Sequence, residues 1–139
     1  MNMDQQPVSN LEELSEDECL HLLAHQSYVG RVGFVSDGKP LVLPVNYVFD
    51  EGSIILRTSE GTALSTFDGE LVAFEVDDAK PMRHSGWSVL AHGTAHRVSD
   101  EAMLSRLRHG PLRSWAWSSA DCWIRIPIEA ISGRRIAES

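Results

Sequence analysis

Residues 28–58 read YVGRVGFVSDGKPLVLPVNYVFDEGSIILRT, and their pattern sets the fold class. Three runs rich in Val, Ile, Phe and Tyr (Tyr28–Val35, Leu41–Phe49 and Ser53–Thr58) are separated by Ser36-Asp37-Gly38-Lys39 and Asp50-Glu51-Gly52. β-Branched and aromatic residues suit a pleated, half-buried surface, while short Gly-containing breaks supply the backbone freedom of tight hairpins. The stretch predicts an antiparallel meander of three strands.

Upstream, Ser15-Glu16-Asp17-Glu18 is a capping box, with a Ser acceptor for an orphan N–H and a Glu three residues on reaching back. It predicts a helix carrying Cys19, Leu20, Leu22 and Leu23 on one face and ending near Gln26, after a flexible lead-in over residues 1–14. Downstream, Gly61–Phe67 reads as a short helix, Leu71–Val76 as a strand, and Trp87–Val98 as a longer strand. Ser99-Asp100-Glu101 caps a helix running to about Arg108, His109–Ala120 is irregular, and Cys122–Ile128 is a last strand that Ile131–Ile136 extends or follows. The expectation is a mostly β domain with short helices over residues 15–139. About six antiparallel strands form a closed or nearly closed barrel, which removes the exposed edges of an open sheet.

The 139 residues are 42% hydrophobic and 23% charged with a net charge of −8, the profile of one globular domain. Nucleic-acid binding depends on neutralising phosphates with Lys and Arg, so this balance argues against nucleic acid and anionic membrane surfaces as partners. The N-terminus lacks the basic-then-apolar layout of a signal peptide, and no apolar run reaches a membrane span. The two cysteines, Cys19 and Cys122, form neither a disulfide framework nor a CxxC pair, which points to a cytoplasmic setting.

Chemistry concentrates in Ile54–Leu64. An apolar strand delivers Arg57 and Thr58 to its end, and the chain turns through Gly61 toward a helix start, where unpaired N–H groups favour phosphate. Arg57 adds a planar cationic fork, and Thr58, Ser59 and Thr62 add hydroxyls, with Glu60 required to point away. Local physics leaves open a plain alternative, an exposed Arg beside ordinary Ser or Thr capping.

The order of several blocks resembles the pyridoxamine 5′-phosphate oxidase-like flavin-binding split-barrel families, especially small actinobacterial-type members. The blocks are Gly30-Arg31-Val32-Gly33, Pro44-Val45-Asn46-Tyr47, Leu56-Arg57-Thr58 with Gly61-Thr62, Val72-Ala73-Phe74-Glu75-Val76-Asp77, Gly86-Trp87-Ser88-Val89 and Ser132-Gly133-Arg134-Arg135. The resemblance implies a split β-barrel homodimer with nucleotide sites at its interface. It implies that Arg57, Thr58, Gly61 and Thr62 hold the phosphate of FMN, that Val45, Asn46 and Tyr47 lie along the flavin ring, and that Trp87 and Ser88 approach the same site from one subunit or the other. One position departs from the pattern: related sequences carry Lys after the Gly-Thr pair, where this chain has Ala63. A missing ammonium weakens FMN binding, or shifts the site toward the deazaflavin F420, or abolishes it.

His92 and His96 sit four residues apart on the same expected strand, roughly 13 Å at the strand rise, too far to share a metal ion. His21 and His25 have helical i, i+4 spacing but no third ligand at a recognisable offset, so no metal site is expected. Trp115, Trp117 and Trp123 can cover a flavin or fill the barrel mouth or a dimer interface, and packing is favoured. His84, in the loop before Gly86-Trp87, could reach a site as acid or base, but an exposed loop histidine is the favoured reading, and the pair Arg134-Arg135 can meet a phosphate but is more often simply solvated. No side chain stands out as a catalyst, which suits cofactor-borne chemistry. The expected function is an FMN-dependent oxidoreductase acting on a small molecule. The alternatives are a non-catalytic flavin- or other-ligand-binding protein and an F420-dependent reductase.

Overall fold

The computed structural model describes residues 11–25, 28–59, 61–66, 68–80, 82, 84–112 and 121–136. The strands are β1 (Leu11–Glu13), β2 (Val29–Ser36), β3 (Lys39–Asp50), β4 (Ser53–Ser59), β5 (Leu71–Lys80), β6 (Ser85–Thr94), β7 (His96–Arg97), β8 (Asp121–Pro127) and β9 (Ala130–Ile136). Among the described residues, helices α1 (Glu16–His25) and α2 (Glu101–Arg108) and a 3₁₀ turn at Ala63–Thr66 accompany them.

The meander forms as its residues dictate. Asp37, Gly38, Glu51 and Gly52 take φ of 51°, 74°, 48° and 81°, the positive-φ pairs of two-residue hairpin turns whose twist matches the flanking strands. β3 serves two partners, β2 through Lys39–Asn46 and β4 through Tyr47–Asp50. The antiparallel sheet runs β1-β9-β6-β5-β2-β3-β4-β8-β7. It bends back on itself at the corner between β8 and β9, where the Ile128 N–H donates to the Gly52 carbonyl and the Glu129 N–H to the His92 carbonyl. Backbones cross tightly there: a Cβ on Gly93 would lie 2.1 Å from the Pro127 carbonyl oxygen.

Among the described residues nine strands stand where about six were expected, and the sheet ends on β1 and β7 rather than closing. Leu11–Glu13, assigned above to a flexible lead-in, pairs with Arg134–Ile136 on β9; residues 1–10 lie outside the described residues. The expected long strand breaks at Ala95, which exchanges backbone hydrogen bonds with Gly69 and Glu70. Its tail, β7, crosses to pair with β8, so His92 and His96 lie on different strands. Ile131–Ile136 belongs to a strand of its own, pairing with β6 rather than continuing β8.

Strand alternation fills the main core with Val32, Phe34, Ile54, Leu56, Val72, Phe74, Val76, Val89, Ile124 and Ile126. Helix α1 starts on its capping box, the Glu18 N–H donating to Ser15 Oγ at 3.1 Å and the Ser15 N–H to Glu18 Oε1 at 3.3 Å. It buries Cys19, Leu22 and Leu23 in that core. Helix α2 is capped by Asp100, which accepts from the Met103 N–H, and it packs Leu104 and Leu107 on Ile55, Val98, Leu112 and Trp123. β4 is thus buried on both faces, one toward the main core and one toward α2.

Candidate functional site

Because β4 alternates, Arg57 and Thr58 leave it on opposite sides. Arg57 lies on the α2 side with its guanidinium carbon 5.1 Å from the Trp123 ring centroid, and its Nη1 donates to the Leu112 carbonyl at a long 3.4 Å. Trp123, opposite Arg57 on β8, is buried, and its indole Nε1 has no hydrogen-bond partner among the described residues. A buried, unmade N–H bond is costly, so this donor marks a place where an acceptor is wanted. Ser59 shares the Arg57 side of the strand, two residues on.

Thr58 points the other way and meets Thr62, their hydroxyl oxygens 2.9 Å apart. Thr62 gives its hydrogen to the Ser59 carbonyl at 2.9 Å, so Thr58 must be the donor to Thr62. Both hydroxyl hydrogens are therefore spent inside the turn, and a phosphate, which only accepts, gains none from them. The expected helix after Gly61 is a single 3₁₀ turn, held by Ser65 and Thr66 hydroxyls donating to the Thr62 and Ala63 carbonyls. Its end charge is correspondingly small. Gly61, at φ 81°, leaves open space around it, and Ala63 packs against the main core. Glu60 and Phe67 lie outside the described residues.

On β3, Val45 packs against the main core and Tyr47 lies within it. The Tyr47 hydroxyl donates to the Leu23 carbonyl at 2.5 Å, and its ring meets Phe74 edge-on at 4.9 Å. Tyr47 thus ties α1 to the sheet and lines, with Val48 and Asp50, a cavity of about 360 Å³, while Asn46 faces the opposite side of the strand. Trp87 and Ser88 stand on β6 opposite Arg135 and Arg134 of β9. With Gly86, Asp77 and Ile136 they line a cavity of about 290 Å³ that also takes in Arg134. Arg134 makes no hydrogen bond or ion pair with its side chain among the described residues, whereas Arg135 reaches Glu18 at 3.5 Å. The expected site residues fall into two groups, one on β3, β4 and the turn after it and one on β6, with β5 and β2 between them in the sheet order.

The outer face of β2 and β5 carries a charge cluster. Arg31 Nη1 reaches Glu75 at 2.9 Å and Asp77 at 3.2 Å. Partial burial, and then the neighbouring Asp77, push the Glu75 carboxyl up to about 6 against the pull of Arg31. Around it Val35, Val42 and Leu71 are 66%, 67% and 64% exposed.

The remaining candidates resolve simply. The His21 and His25 rings are 4.9 Å apart on the exposed face of α1, and no group of three metal-ligating side chains occurs among the described residues. Burial pushes both thiols, Cys19 and Cys122, above their ordinary range, so neither is a ready nucleophile. His84, at φ 50°, is exposed. Trp115 and Trp117 lie outside the described residues; Trp123 packs as expected. Among the described residues no helix is long and apolar enough to cross a membrane.

The family model described as pyridoxamine 5′-phosphate oxidase matches residues 15–135. The uncharacterized protein Rv0080 of Mycobacterium tuberculosis is 35% identical over 137 residues, covering 94% of this chain and 89% of that protein. The solved FAD binding protein from Mycobacterium smegmatis superposes with a TM-score of 0.80 at 33% identity, over 92% of this chain and 100% of that one. A FAD-binding protein from Mesorhizobium loti shares the fold, with a TM-score of 0.73 at 23% identity over 91% of this chain and 99% of that one.

Proposed function

This chain belongs to the pyridoxamine 5′-phosphate oxidase family, and from that premise we propose that it binds a flavin nucleotide and works as a homodimeric flavin-dependent oxidoreductase. The observation that carries the reading is the pair Arg57 and Trp123: a half-buried guanidinium lies over a buried indole whose N–H has no acceptor among the described residues. An anion at Arg57 supplies that acceptor and pairs with the cation, so a phosphate fits the residues present. Ser59 is the hydroxyl on that side of the strand. The flavin, when bound, supplies hydride or electron transfer; the chain anchors its phosphate and orients it.

Trp87, Ser88 and Arg134 offer an aromatic surface, a hydroxyl and a cation on β6 and β9. They stand four or more strands from Arg57 in the sheet order, and we assign them to the site of a second copy. The exposed Val35, Val42 and Leu71 face gives that copy an apolar surface to cover. FMN is the smallest flavin that presents the required phosphate. FAD presents it too, and the M. smegmatis relative is a FAD binding protein. The two free, buried thiols suit a reducing, cytoplasmic setting. One observation favours a second reading, a binding protein or an F420-dependent reductase: Ala63 packs into the core where a lysine would add an ammonium.

The test is the absorbance spectrum of the purified protein, followed by fluorescence titration with FMN, FAD, F420 and riboflavin. Saturable FMN or FAD binding at one per protomer is the expected result, and F420 alone selects the second reading. No binding of any of the four overturns the flavin assignment. Light scattering at micromolar concentration gives the mass, and a monomer refutes the dimer separately.

A further inference from the structure

Two cavities meet beside α2. The first, about 360 Å³, lies between the end of β3 and the C-terminal end of α2, with apolar walls from Tyr28, Val48, Leu107 and Leu112. The second, about 520 Å³, is lined by Ser53, Met103 and Arg125 among others. Asp50 and Arg106 line both, so their ion pair forms a shared wall.

That pair is incomplete. Arg106 Nη1 donates to Asp50 Oδ1 at 2.7 Å, while Asp50 Oδ2 is buried with no hydrogen-bond partner among the described residues. A carboxylate oxygen out of water and unpaired is an energetic liability that a donor relieves. Arg106 is the movable member, its side chain 49% exposed against 23% for Asp50. Ion pairs this open to water contribute little, and a long side chain recovers rotamer freedom on release. An ammonium brings three N–H donors and a compact charge, enough to engage both oxygens at once. The apolar walls ask for a hydrocarbon body behind it, and the volume falls within the range of small-molecule sites.

We propose that the first cavity binds an organic ammonium ion with an aromatic or branched aliphatic body, its nitrogen taking the place of Arg106 on Asp50. The site needs no phosphate and no flavin; its Leu112 wall also accepts from Arg57, so the amine titration is run on flavin-free protein. A carboxylate-bearing analogue is refused by Asp50, and a neutral alcohol gains no charge pairing.

The experiment is calorimetric titration of the full chain at neutral pH with benzylamine, benzyl alcohol and phenylacetate. Benzylamine is expected to bind saturably, at least about tenfold tighter than benzyl alcohol, with phenylacetate silent. Asp50→Asn should cost benzylamine about tenfold or more, and Arg106→Met should strengthen it severalfold by removing the internal competitor. Equal affinity for alcohol and amine, an unchanged D50N, a weakened R106M, or no amine binding up to millimolar concentration each overturns the proposal. Should D50N not fold, NMR of the wild-type chain decides. Benzylamine-induced shifts confined to residues 47–50 and 106–112 support the site, and shifts elsewhere refute it.

Discussion

Replacing Arg57 by Met separates phosphate recognition from packing. Methionine keeps a long apolar stem over Trp123 but removes the charge and the fork of N–H donors. In the protein itself Arg57 donates to the Leu112 carbonyl at 3.4 Å and lies 5.1 Å from the Trp123 ring centroid. Losing a cation–π contact of this kind costs about 1 kcal/mol, or roughly 3–5 °C in Tm for a domain this size. Losing a charge-assisted contact to a bound phosphate costs more, about 1.5–3 kcal/mol, equivalent to roughly a tenfold to hundredfold rise in Kd. Riboflavin has the same ring and no phosphate, so its affinity reports the packing contribution alone. Fluorescence titration of wild type and R57M with FMN and riboflavin should show the loss for FMN only. If both flavins weaken equally, Arg57 acts through Trp123 and the fold; if neither changes, the phosphate sits elsewhere.

Ala63→Lys should leave FMN and riboflavin affinity alike within about threefold in the same titration, since Ala63 packs against the main core at the Thr58–Thr62 turn and not on the Arg57 side of β4; a selective gain of about tenfold for FMN would put the phosphate at that turn. Gly93→Ala should destabilise the domain by about 2 kcal/mol or more in urea melts, because the new Cβ meets the Pro127 carbonyl oxygen at 2.1 Å and backbone must yield. Glu75, raised from 4.5 to about 6, favours folding below the lower value, and that contribution is lost as pH rises through the upper one. The shift is worth about 2 kcal/mol by linkage and about 1 after solvent screening of a side chain one-third exposed, so the stability of wild type relative to Glu75→Gln should fall by about 1 kcal/mol between pH 4.5 and 7.5. A 1:1 mixture of R57M and R134M protomers, unfolded and reassembled, should regain high-affinity flavin binding that neither variant shows alone; no recovery places both arginines in one protomer's site.

The meander, the α1 capping box and the α2 cap were legible because each rests on residues within a few positions of one another. β1 and β7, three and two residues long, carry no periodicity to detect. The break at Ala95 depends on backbone bonds to Gly69 and Glu70, about 25 residues upstream, which no local pattern announces. The β4 site was half legible. Strict alternation already places Arg57 with Ser59 and Thr58 with Leu56, so the division of the site between two faces lay in the sequence. The role of Tyr47 did not, because the Leu23 carbonyl that engages its hydroxyl is 24 residues away on another element. The Asp50–Arg106 pair, 56 residues apart, is beyond local reading for the same reason.

The two halves of the flavin assignment and the Glu75 cluster bear on one another through the outer face of β2 and β5. Glu75 stands opposite Leu90 on β6, and Asp77 stands opposite Ser88, itself opposite Arg134 on β9. The exposed apolar residues, the shared Arg31 and the Trp87–Arg134 cavity therefore belong to one continuous surface. A second copy seated there removes water from Glu75, which favours its protonated form further, since Arg31 is already divided between two carboxylates. In the proposed homodimer, protonation and dimer formation would then reinforce each other, and the residues drawn into the interface would include those assigned to the neighbour's flavin. Acid titration of Glu75 thus becomes a handle on the complete site rather than on surface charge alone, and the E75Q melts and the mixed-protomer assay read the same surface from its two ends.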